Sequence, residues 1–392
     1  MPLEECESIL ELCFRCSRCK WICDWDVKNA EFSYICPSLK KFLFDAYSAQ
    51  GRMDIARALL RGELDYSTKL LEIIYTCTLC GGCEVTCRRN QAKMEPLKVL
   101  QELRFKCVSD GKGPLEQHKK FAENVERHHN PYGEPHEARF KWLPQEGKEE
   151  DGAEMGLFIG CTIPYRLPNV ANATVNILKK LNIKFKVLGD EEYCCGGVLY
   201  RVGLAHKARE LMEHNLKKIE ESGLKKLLFV CPGCYETFKS IYPKLGGRLN
   251  FEVQHMVEFL SQLLENKKIK FKELSQIVTY HDPCHLGRLA GIYDQPRKIL
   301  NAVPRLKLVE MDRKMDNSWC CGAGAGVKAA FNDFALWSAK ERLEEAKTTG
   351  SKLLLTACPF CELNFKDSSE PDKNYPEVKD LVELVDDLMT TL

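Results

Sequence analysis

Two short stretches, Cys194-Cys195-Gly196 and Cys320-Cys321-Gly322, decide the organisation of this 392-residue chain. Each stretch is the centre of a five-cysteine set, and the two sets have the same internal order. The first set is Cys161, Cys194, Cys195, Cys231 and Cys234, and the second is Cys284, Cys320, Cys321, Cys358 and Cys361. Each cysteine of the first set recurs 123 to 127 residues later. A repeat of that length indicates a duplicated domain and not a solenoid unit.

Short apolar stretches alternate with helical patterns in both copies. This alternation predicts a Rossmann-like α/β fold with a parallel sheet for residues 153–270 and again for residues 271–392. The predicted strands are 155–159, 185–188 and 226–230 in the first copy, and 277–280, 307–310 and 352–356 in the second. The predicted helices are 172–181, 203–222, 293–303, 329–348 and 380–390. Since the cysteines follow the strands, we expect them at the carboxyl ends, where open α/β sheets bind ligands.

The first 110 residues are predicted to be helical, with a helical run over 38–61. They contain two tight cysteine runs, Cys13-x2-Cys16-x2-Cys19 and Cys77-x2-Cys80-x2-Cys83-x3-Cys87. This spacing is typical of ferredoxins with two clusters: three thiolates wrap one face of a cubane [4Fe–4S] cluster, and the fourth ligand comes from the other run. One cluster would then take Cys13, Cys16, Cys19 and Cys87. The other would take Cys77, Cys80, Cys83 and one further cysteine.

Two cysteines compete for that last position. Cys23 has the usual spacing after Cys19, but Asp24 follows it, whereas Cys36 is followed by Pro37 and lies further along the chain. The proline favours Cys36. Zinc is the alternative occupant of the whole region, but zinc prefers two Cys-x-x-Cys pairs with a longer gap, so the two tight runs favour iron–sulfur clusters.

Residues 111–152 form a connector rich in glycine and proline, interrupted by a predicted helix over 115–129. Its three histidines, His128, His129 and His136, are expected to be solvated.

The composition excludes several classes of protein. A net charge of +1 provides no overall positive potential that would attract nucleic acid. The amino terminus does not have the pattern of a signal peptide, and no 18-residue apolar stretch predicts a direct membrane span. Twenty-one cysteines in clustered spacings indicate metal binding in a cytoplasmic protein, because disulfide scaffolds are typical of small secreted domains. A thioredoxin-like dithiol at Cys231–Cys234 or Cys358–Cys361 is a competing interpretation, but it leaves the other cysteines of each set unexplained.

The chain resembles the catalytic subunit of heterodisulfide reductase in its fused form, in which a ferredoxin-like segment with two clusters precedes two "CCG" domains. The resemblance rests on the two cysteine runs, on both complete five-cysteine sets and on residues 280–286, Tyr-His-Asp-Pro-Cys-His-Leu. It implies that each five-cysteine set holds a noncubane [4Fe–4S] cluster and that a disulfide is cleaved between the two. The chain departs from the pattern at Asp24 and Arg88, where proline usually follows the fourth cysteine of a run.

This resemblance leads to a mechanistic hypothesis. The two cubane clusters relay electrons, and the two noncubane clusters act on a small-molecule disulfide. His281, Asp282 and His285, beside Cys284, are candidate proton donors. Because no electron source is evident, a partner is expected: a flavoprotein, a hydrogenase-type module or a membrane cytochrome that holds the chain at the membrane. The alternative is an electron-relay component of another redox complex, such as an acyl-CoA or hydroxy-acid oxidoreductase.

Overall fold

The computed structural model describes residues 3–22, 26–89, 92–143, 152–369 and 374–391. Cys23, one of the two candidates for the last cubane position, lies outside these ranges. The described chain consists of a helical amino-terminal region, a connector and two α/β units.

The amino-terminal region is helical, as predicted. Its helices are α1 (Glu7–Glu11), α2 (Pro37–Phe42), α3 (Ala49–Leu60), α4 (Thr68–Tyr75), α5 (Gly82–Arg88) and α6 (Pro96–Ser109). Proline stands in the first turn of α2 and α6, where its missing N–H is not needed. The connector contributes α7 (Glu116–His128).

The predicted continuous helix over 38–61 is wrong. Helix α2 ends where Leu43 adopts a left-handed conformation with φ of 54°. A short 3₁₀ turn over Asp45–Tyr47 follows, and α3 begins after Ser48, whose hydroxyl accepts a hydrogen bond from the Gly51 N–H. Serine bonded in this way caps the start of a new helix, so the chain turns instead of continuing.

The first α/β unit is a four-stranded parallel sheet with helices around it. Its strands are β1 (Met155–Phe158), β2 (Phe185–Val187), β3 (Lys226–Phe229) and β4 (Glu252–His255), in the order β2-β1-β3-β4. Its helices are α8 (Thr162–Arg166), α9 (Pro168–Lys180), α10 (Gly197–Arg201), α11 (Ala205–Glu221), α12 (Pro232–Glu236), α13 (Tyr242–Lys244) and α14 (Met256–Glu265). This arrangement confirms the predicted Rossmann-like fold.

The second α/β unit repeats the first. After β5 (Ile269–Phe271), its parallel sheet contains β6 (Ile277–His281), β7 (Lys307–Leu308), β8 (Leu353–Thr356) and β9 (Glu377–Asp380), in the order β7-β6-β8-β9. Its helices are α15 (Asp294–Asn301), α16 (Val327–Ala330), α17 (Asn332–Thr348), α18 (Pro359–Ser368) and α19 (Leu381–Leu388). The same strand order in both units confirms the duplication.

Three details of the predicted α/β units are wrong. Each sheet has a fourth strand, β4 or β9, that was not predicted, because each begins with a glutamate and contains only one apolar residue, a valine. The predicted helix over 329–348 is broken at Phe331, which has an extended φ of −138°. The predicted helix over 380–390 ends at Leu388, and the chain continues as β10 (Met389–Thr391), which pairs antiparallel with β5.

Matching helix contacts hold the two units together. Helix α14 packs on α15, and helix α9 packs on α19. Each contact carries one ion pair, Lys298–Glu265 at 2.6 Å and Lys180–Asp386 at 2.7 Å. In both contacts, the helix after the first strand of one unit meets the helix after the last strand of the other. The units therefore face each other with approximate two-fold symmetry.

Across the described ranges, no helix combines the length and the apolar character that crossing a bilayer requires.

Candidate functional site

The two cysteine loops of the amino-terminal region have the same backbone shape. In the first cysteine loop (residues 13–19), Arg15 and Ser17 have positive φ values of 58° and 65°. In the second cysteine loop (residues 77–83), Leu79 and Gly81 occupy the same positions, with φ of 48° and 76°. Non-glycine residues adopt this conformation at a cost of order 1 kcal/mol. The repeated turn therefore indicates that both loops are shaped to bring three thiols to one side.

Four thiols gather around the first cysteine loop. Cys87, on α5, lies close to Cys13 and Cys16, and burial together with these neighbours raises its pKa to about 11. Cys19 is buried beside them, and burial raises its pKa. Cys16 is the one exposed cysteine among those that the structure describes. The structure thus brings together all four cysteines of the first predicted cubane site, at the surface.

The second cysteine loop encloses a small cavity of about 20 Å³, and Cys36, Cys77, Cys80 and Cys83 all line it. Cys36 is the residue before α2, and its thiol lies 3.5 Å from the Ser38 hydroxyl. Burial and the neighbouring thiols raise the pKa of Cys83 well above its ordinary value. The structure therefore brings Cys36 together with the three cysteines of the second cysteine loop.

All ten cysteines of the two five-cysteine sets line one cavity of about 420 Å³ between the α/β units, here called the central cavity. Two of them, Cys231 and Cys284, are partly exposed, and the other eight are buried. The strands place them there, because Cys161 and Cys231 follow β1 and β3 in the first unit. The prediction that the cysteines lie at the carboxyl ends is confirmed.

Within each set, glycine brings the backbone close to sulfur. The Gly196 N–H donates to the Cys194 thiol, and the Gly322 N–H donates to the Cys320 thiol, both at 3.4 Å. Both glycines have positive φ, and a Cβ on Gly322 would lie 2.6 Å from the side chain of Ser338. Hydrogen bonds from backbone N–H groups to sulfur help to set the reduction potential of an iron–sulfur cluster. Each set contributes five thiols to the lining of the cavity, and thiolates are the ligands that hold iron–sulfur clusters. The residues present therefore fit iron–sulfur clusters.

The second cysteine loop contacts the second α/β unit directly. The thiols of Cys80 and Cys320 are hydrogen-bonded, and this contact lowers the pKa of Cys80 well below its ordinary value. Arg288 donates from Nε to the Cys80 carbonyl at 2.7 Å. A Cβ on Gly324 would lie 3.0 Å from the carbonyl oxygen of Thr78, so the two loops meet without intervening side chains.

Arg104, on α6, ties the cysteine loop to both units. It is fully buried, and its guanidinium donates to the carbonyls of Cys77 at 2.5 Å, of Arg201 at 2.9 Å and of Ala325 at 2.9 Å. Each carbonyl belongs to a different part of the chain. A buried side chain that satisfies three such groups fixes their relative positions.

The three predicted proton donors differ in their surroundings. Asp282 is held by both terminal nitrogens of Arg297, at 2.7 and 2.9 Å, and by the backbone N–H of Met315. His281 accepts a hydrogen bond from Arg342 at its Nδ1. Neither residue lines the central cavity.

His285 does line the central cavity, and its Nε2 has no hydrogen-bond partner in the described structure. Its Nδ1 would lie 3.4 Å from a Cβ on Gly233, so the ring extends from the second unit to the Cys231–Cys234 loop of the first. Burial, with Arg201 and Arg288 nearby, lowers the pKa of His285 well below its ordinary value. Of the three candidates, His285 is the one that lines the central cavity.

Several site residues lie in the connector, where no motif pointed to them. Phe121 and Tyr132 line the central cavity, and the Tyr132 hydroxyl is 2.9 Å from that of Thr162. Arg139 is buried beside Cys161. The expectation that the connector histidines are solvated is wrong for His129, which stacks on Tyr193 at 3.5 Å between ring centroids, and for His136, whose Nε2 lies 2.7 Å from the Asp190 carbonyl.

Comparison with known proteins gives the same division of the chain. Residues 8–91 match a family model described as a 4Fe-4S dicluster domain, and residues 155–239 and 278–366 each match the CCG cysteine-rich domain. One subunit of the dihydromethanophenazine:CoB–CoM heterodisulfide reductase of Methanosarcina mazei is 37% identical over 96% of this chain and 93% of its own length. The chain belongs to the family of this heterodisulfide reductase subunit. The predicted resemblance is therefore confirmed.

Other relatives show how widely this family's arrangement is used. One subunit of the fumarate reductase (CoM/CoB) of Methanothermobacter marburgensis is 32% identical over 95% of this chain and 71% of its own length. EtfAB:quinone oxidoreductase of Syntrophomonas wolfei is 34% identical over 74% of this chain and 42% of its own length. A hypothetical protein from Helicobacter pylori shares the fold, with a TM-score of 0.51 and 12% identity over 76% of this chain and 58% of that protein.

Membership of the heterodisulfide reductase family makes the chain an iron–sulfur oxidoreductase. This supports iron–sulfur clusters over the zinc and dithiol alternatives. Two of the relatives are named as subunits, so the family works within larger redox complexes.

Proposed function

We propose that this chain reduces a small-molecule disulfide in the central cavity, with electrons supplied by a partner protein. The overall reaction takes two electrons and two protons, breaks the S–S bond and releases two thiols. The observation that carries the proposal is the convergence of both complete five-cysteine sets on one cavity of about 420 Å³. A protein that only relays electrons does not need two such sets around a space that admits a substrate.

The proposal assigns four [4Fe–4S] clusters. One cubane cluster is held by Cys13, Cys16, Cys19 and Cys87, and the other by Cys36, Cys77, Cys80 and Cys83. One noncubane cluster is held by Cys161, Cys194, Cys195, Cys231 and Cys234, and the other by Cys284, Cys320, Cys321, Cys358 and Cys361. When bound, these clusters supply one-electron transfer and, at the cavity, iron that sulfur can approach. In this assignment residues 1–110 form the ferredoxin-like domain, 111–152 the connector, and 153–270 and 271–392 the two CCG domains.

The contacts favour one route for the electrons. The exposed Cys16 places the first cubane site where a partner can reach it. The second cubane site contacts the second α/β unit through the Cys80 and Cys320 thiols. Electrons would therefore pass from the surface to the second unit and so to the central cavity.

His285 is the proposed proton donor to a departing sulfur. Its ring lies between the two sets, and its Nε2 is free to bond a ligand in the cavity. Burial lowers the pKa of His285, but the negative charge of a product thiolate beside the ring would favour its protonated form. Asp282 would act only through Arg297, and His281 only through Arg342.

The relatives suggest the substrate and partner classes. The name of the Methanosarcina mazei relative specifies a CoB–CoM heterodisulfide. We propose an unsymmetrical thiol pair of this kind as the substrate, and a flavoprotein, a hydrogenase-type module or a membrane cytochrome as the electron donor. The chain would act in the cytoplasm, and a cytochrome partner would hold it at the membrane.

The proposal is tested on protein purified without oxygen. Iron and acid-labile sulfide are measured per chain, and disulfide reduction is assayed with a chemically reduced viologen as electron donor. Four clusters give about 16 irons per chain, and thiol release at that iron content supports the proposal. About eight irons would mean that only the cubane sites are filled, which contradicts it.

The second candidate is an electron-relay protein without disulfide chemistry. It is favoured by the similarity to EtfAB:quinone oxidoreductase. About 16 irons, reduced by the viologen but releasing no thiol from any disulfide tested, would favour the relay.

A further inference from the structure

The connector inserts one arginine into the first five-cysteine set. Arg139 lies in a 3₁₀ turn over His136–Phe140 and is 0% exposed. One terminal nitrogen donates to the Gly160 carbonyl at 2.5 Å and to Glu192 at 3.1 Å. The other donates to the His129 carbonyl at 2.8 Å and to the thiol of Cys161 at 3.7 Å. The guanidinium is therefore directed at the Cys161 sulfur, and two backbone carbonyls fix its position.

Glu192 completes this arrangement. It is also 0% exposed, and it accepts hydrogen bonds from the N–H groups of Ile159 at 3.0 Å and Gly160 at 2.8 Å. These are the two residues before Cys161. The buried pair thus holds the approach to Cys161 from two sides: Arg139 donates to the thiol itself, and Glu192 binds the two backbone N–H groups before it.

The second α/β unit is built differently at the same place. Ser318 stands where the first unit has Glu192, two residues before the adjacent cysteines, and its hydroxyl donates to the Asp282 carbonyl at 3.0 Å. Arg288 is the arginine near Cys284, but it donates to the carbonyls of Cys80, Asp316 and Ser318. Among the described residues, the arginine N–H that donates to a thiol is thus that of Arg139 in the first unit, whereas Arg288 brings its charge near Cys284 and Cys320 without donating to either sulfur.

We infer that Arg139 raises the reduction potential of the cluster held by the first five-cysteine set. Reduction adds negative charge to a cluster. A nearby cation and an N–H···S hydrogen bond stabilise the reduced state more than the oxidised state. Arg139 is a positioning and tuning residue, since it acts through Cys161 and does not line the central cavity.

This inference rests on the proposed function, because it requires a cluster in the first unit. It adds to that function a residue that tunes one of the two clusters at the central cavity. The connector, which carries no motif, supplies that residue.

The test is a redox titration of the full-length, anaerobically purified chain, followed by electron paramagnetic resonance. The signal of the first unit is identified by its loss in Cys231→Ser. Arg139→Gln should shift the midpoint potential of this signal downward, because it removes the guanidinium N–H donated to Cys161. Glu192→Gln should shift it upward, because that change removes a negative charge. Arg139→Lys should fall between Arg139→Gln and the unsubstituted chain.

The opposite signs separate tuning from damage to the fold. A purely structural role predicts that both glutamine variants disturb the same signal in the same direction, and that result would overturn the inference. Arg127→Gln, the same change on the exposed side of the connector helix, is the control and should shift nothing. If Arg139→Gln does not accumulate, Glu192→Gln decides, and the absence of an upward shift refutes the tuning role. If Cys231→Ser removes no signal at all, the proposed function has failed and not the tuning step alone.

Discussion

The two α/β units have the same strand order and the same five cysteines, but they differ in what is packed against them. The second cysteine loop contacts the second unit, where the Cys80 and Cys320 thiols are hydrogen-bonded. The connector packs against the first unit, where Arg139 bonds to Cys161 and Tyr132 bonds to Thr162. Duplication has therefore supplied two equal scaffolds, and the segments added outside the repeat make their surroundings unequal.

The largest expected effect comes from removing one cysteine of each set. Cys194→Ser and Cys320→Ser should each lower the iron content from about 16 to about 12 per chain, and both should abolish disulfide reduction. Only Cys320→Ser should also change the spectrum of the second cubane cluster, because only Cys320 contacts Cys80. Iron analysis and electron paramagnetic resonance measure both results.

Cys6→Ala is the matched control for these variants, since Cys6 is buried but belongs to none of the four sets. Its iron content should stay unchanged. Identical spectral changes in the two serine variants would remove the difference between the units.

The next effect concerns the residue that follows the first cysteine of each set. His285 occupies this position in the second unit, and Thr162 occupies it in the first. His285→Asn should lower the rate of disulfide reduction by about 100-fold, the usual contribution of a general acid. Tyr132→Phe, which removes the hydroxyl bonded to Thr162, should cost much less.

Both variants should keep the full iron content and should still be reduced by the viologen, which separates proton transfer from electron supply. Equal losses of rate in the two variants would argue against a special role for His285.

The smallest effect tests what the two units share. Arg104 donates to a carbonyl in each unit, Arg201 in the first and Ala325 in the second. Arg104→Met should lower the free energy of unfolding by about 3 kcal/mol, because several buried carbonyls lose their donor. Thermal unfolding measures the loss, with Arg127→Gln as the control. A change below about 0.5 kcal/mol would show that Arg104 does not hold the units together.

The cysteine sets could be predicted from the sequence because cluster ligands must recur at fixed spacing. The proline after Cys36 led to the choice of Cys36 over Cys23, which stays a prediction, and the structure places Cys36 with Cys77, Cys80 and Cys83. The edge strands β4 and β9 could not be predicted in the same way, since each contains a single valine among polar residues and so lacks an apolar run.

The side chains that surround the proposed cluster sites could not be predicted from the sequence, for a different reason. Asp282 and His285 stand on either side of Pro283 and Cys284, yet one is bound to Arg297 and the other faces the central cavity. Sequence adjacency does not tell which way a side chain points. Arg139 is one arginine in a connector without periodicity, and only the fold brings it to Cys161.

The strand β10 has a consequence for how the molecule unfolds. It pairs with β5, the strand that links the two α/β units, and α19 just before it packs on α9 of the first unit. The carboxyl-terminal segment of the second unit, α19 and β10, thus packs against the first unit and against the strand that links the two units. Neither unit can lose its packing without exposing the other, so the pair should melt in a single cooperative transition, and losing the cluster from one side should weaken both.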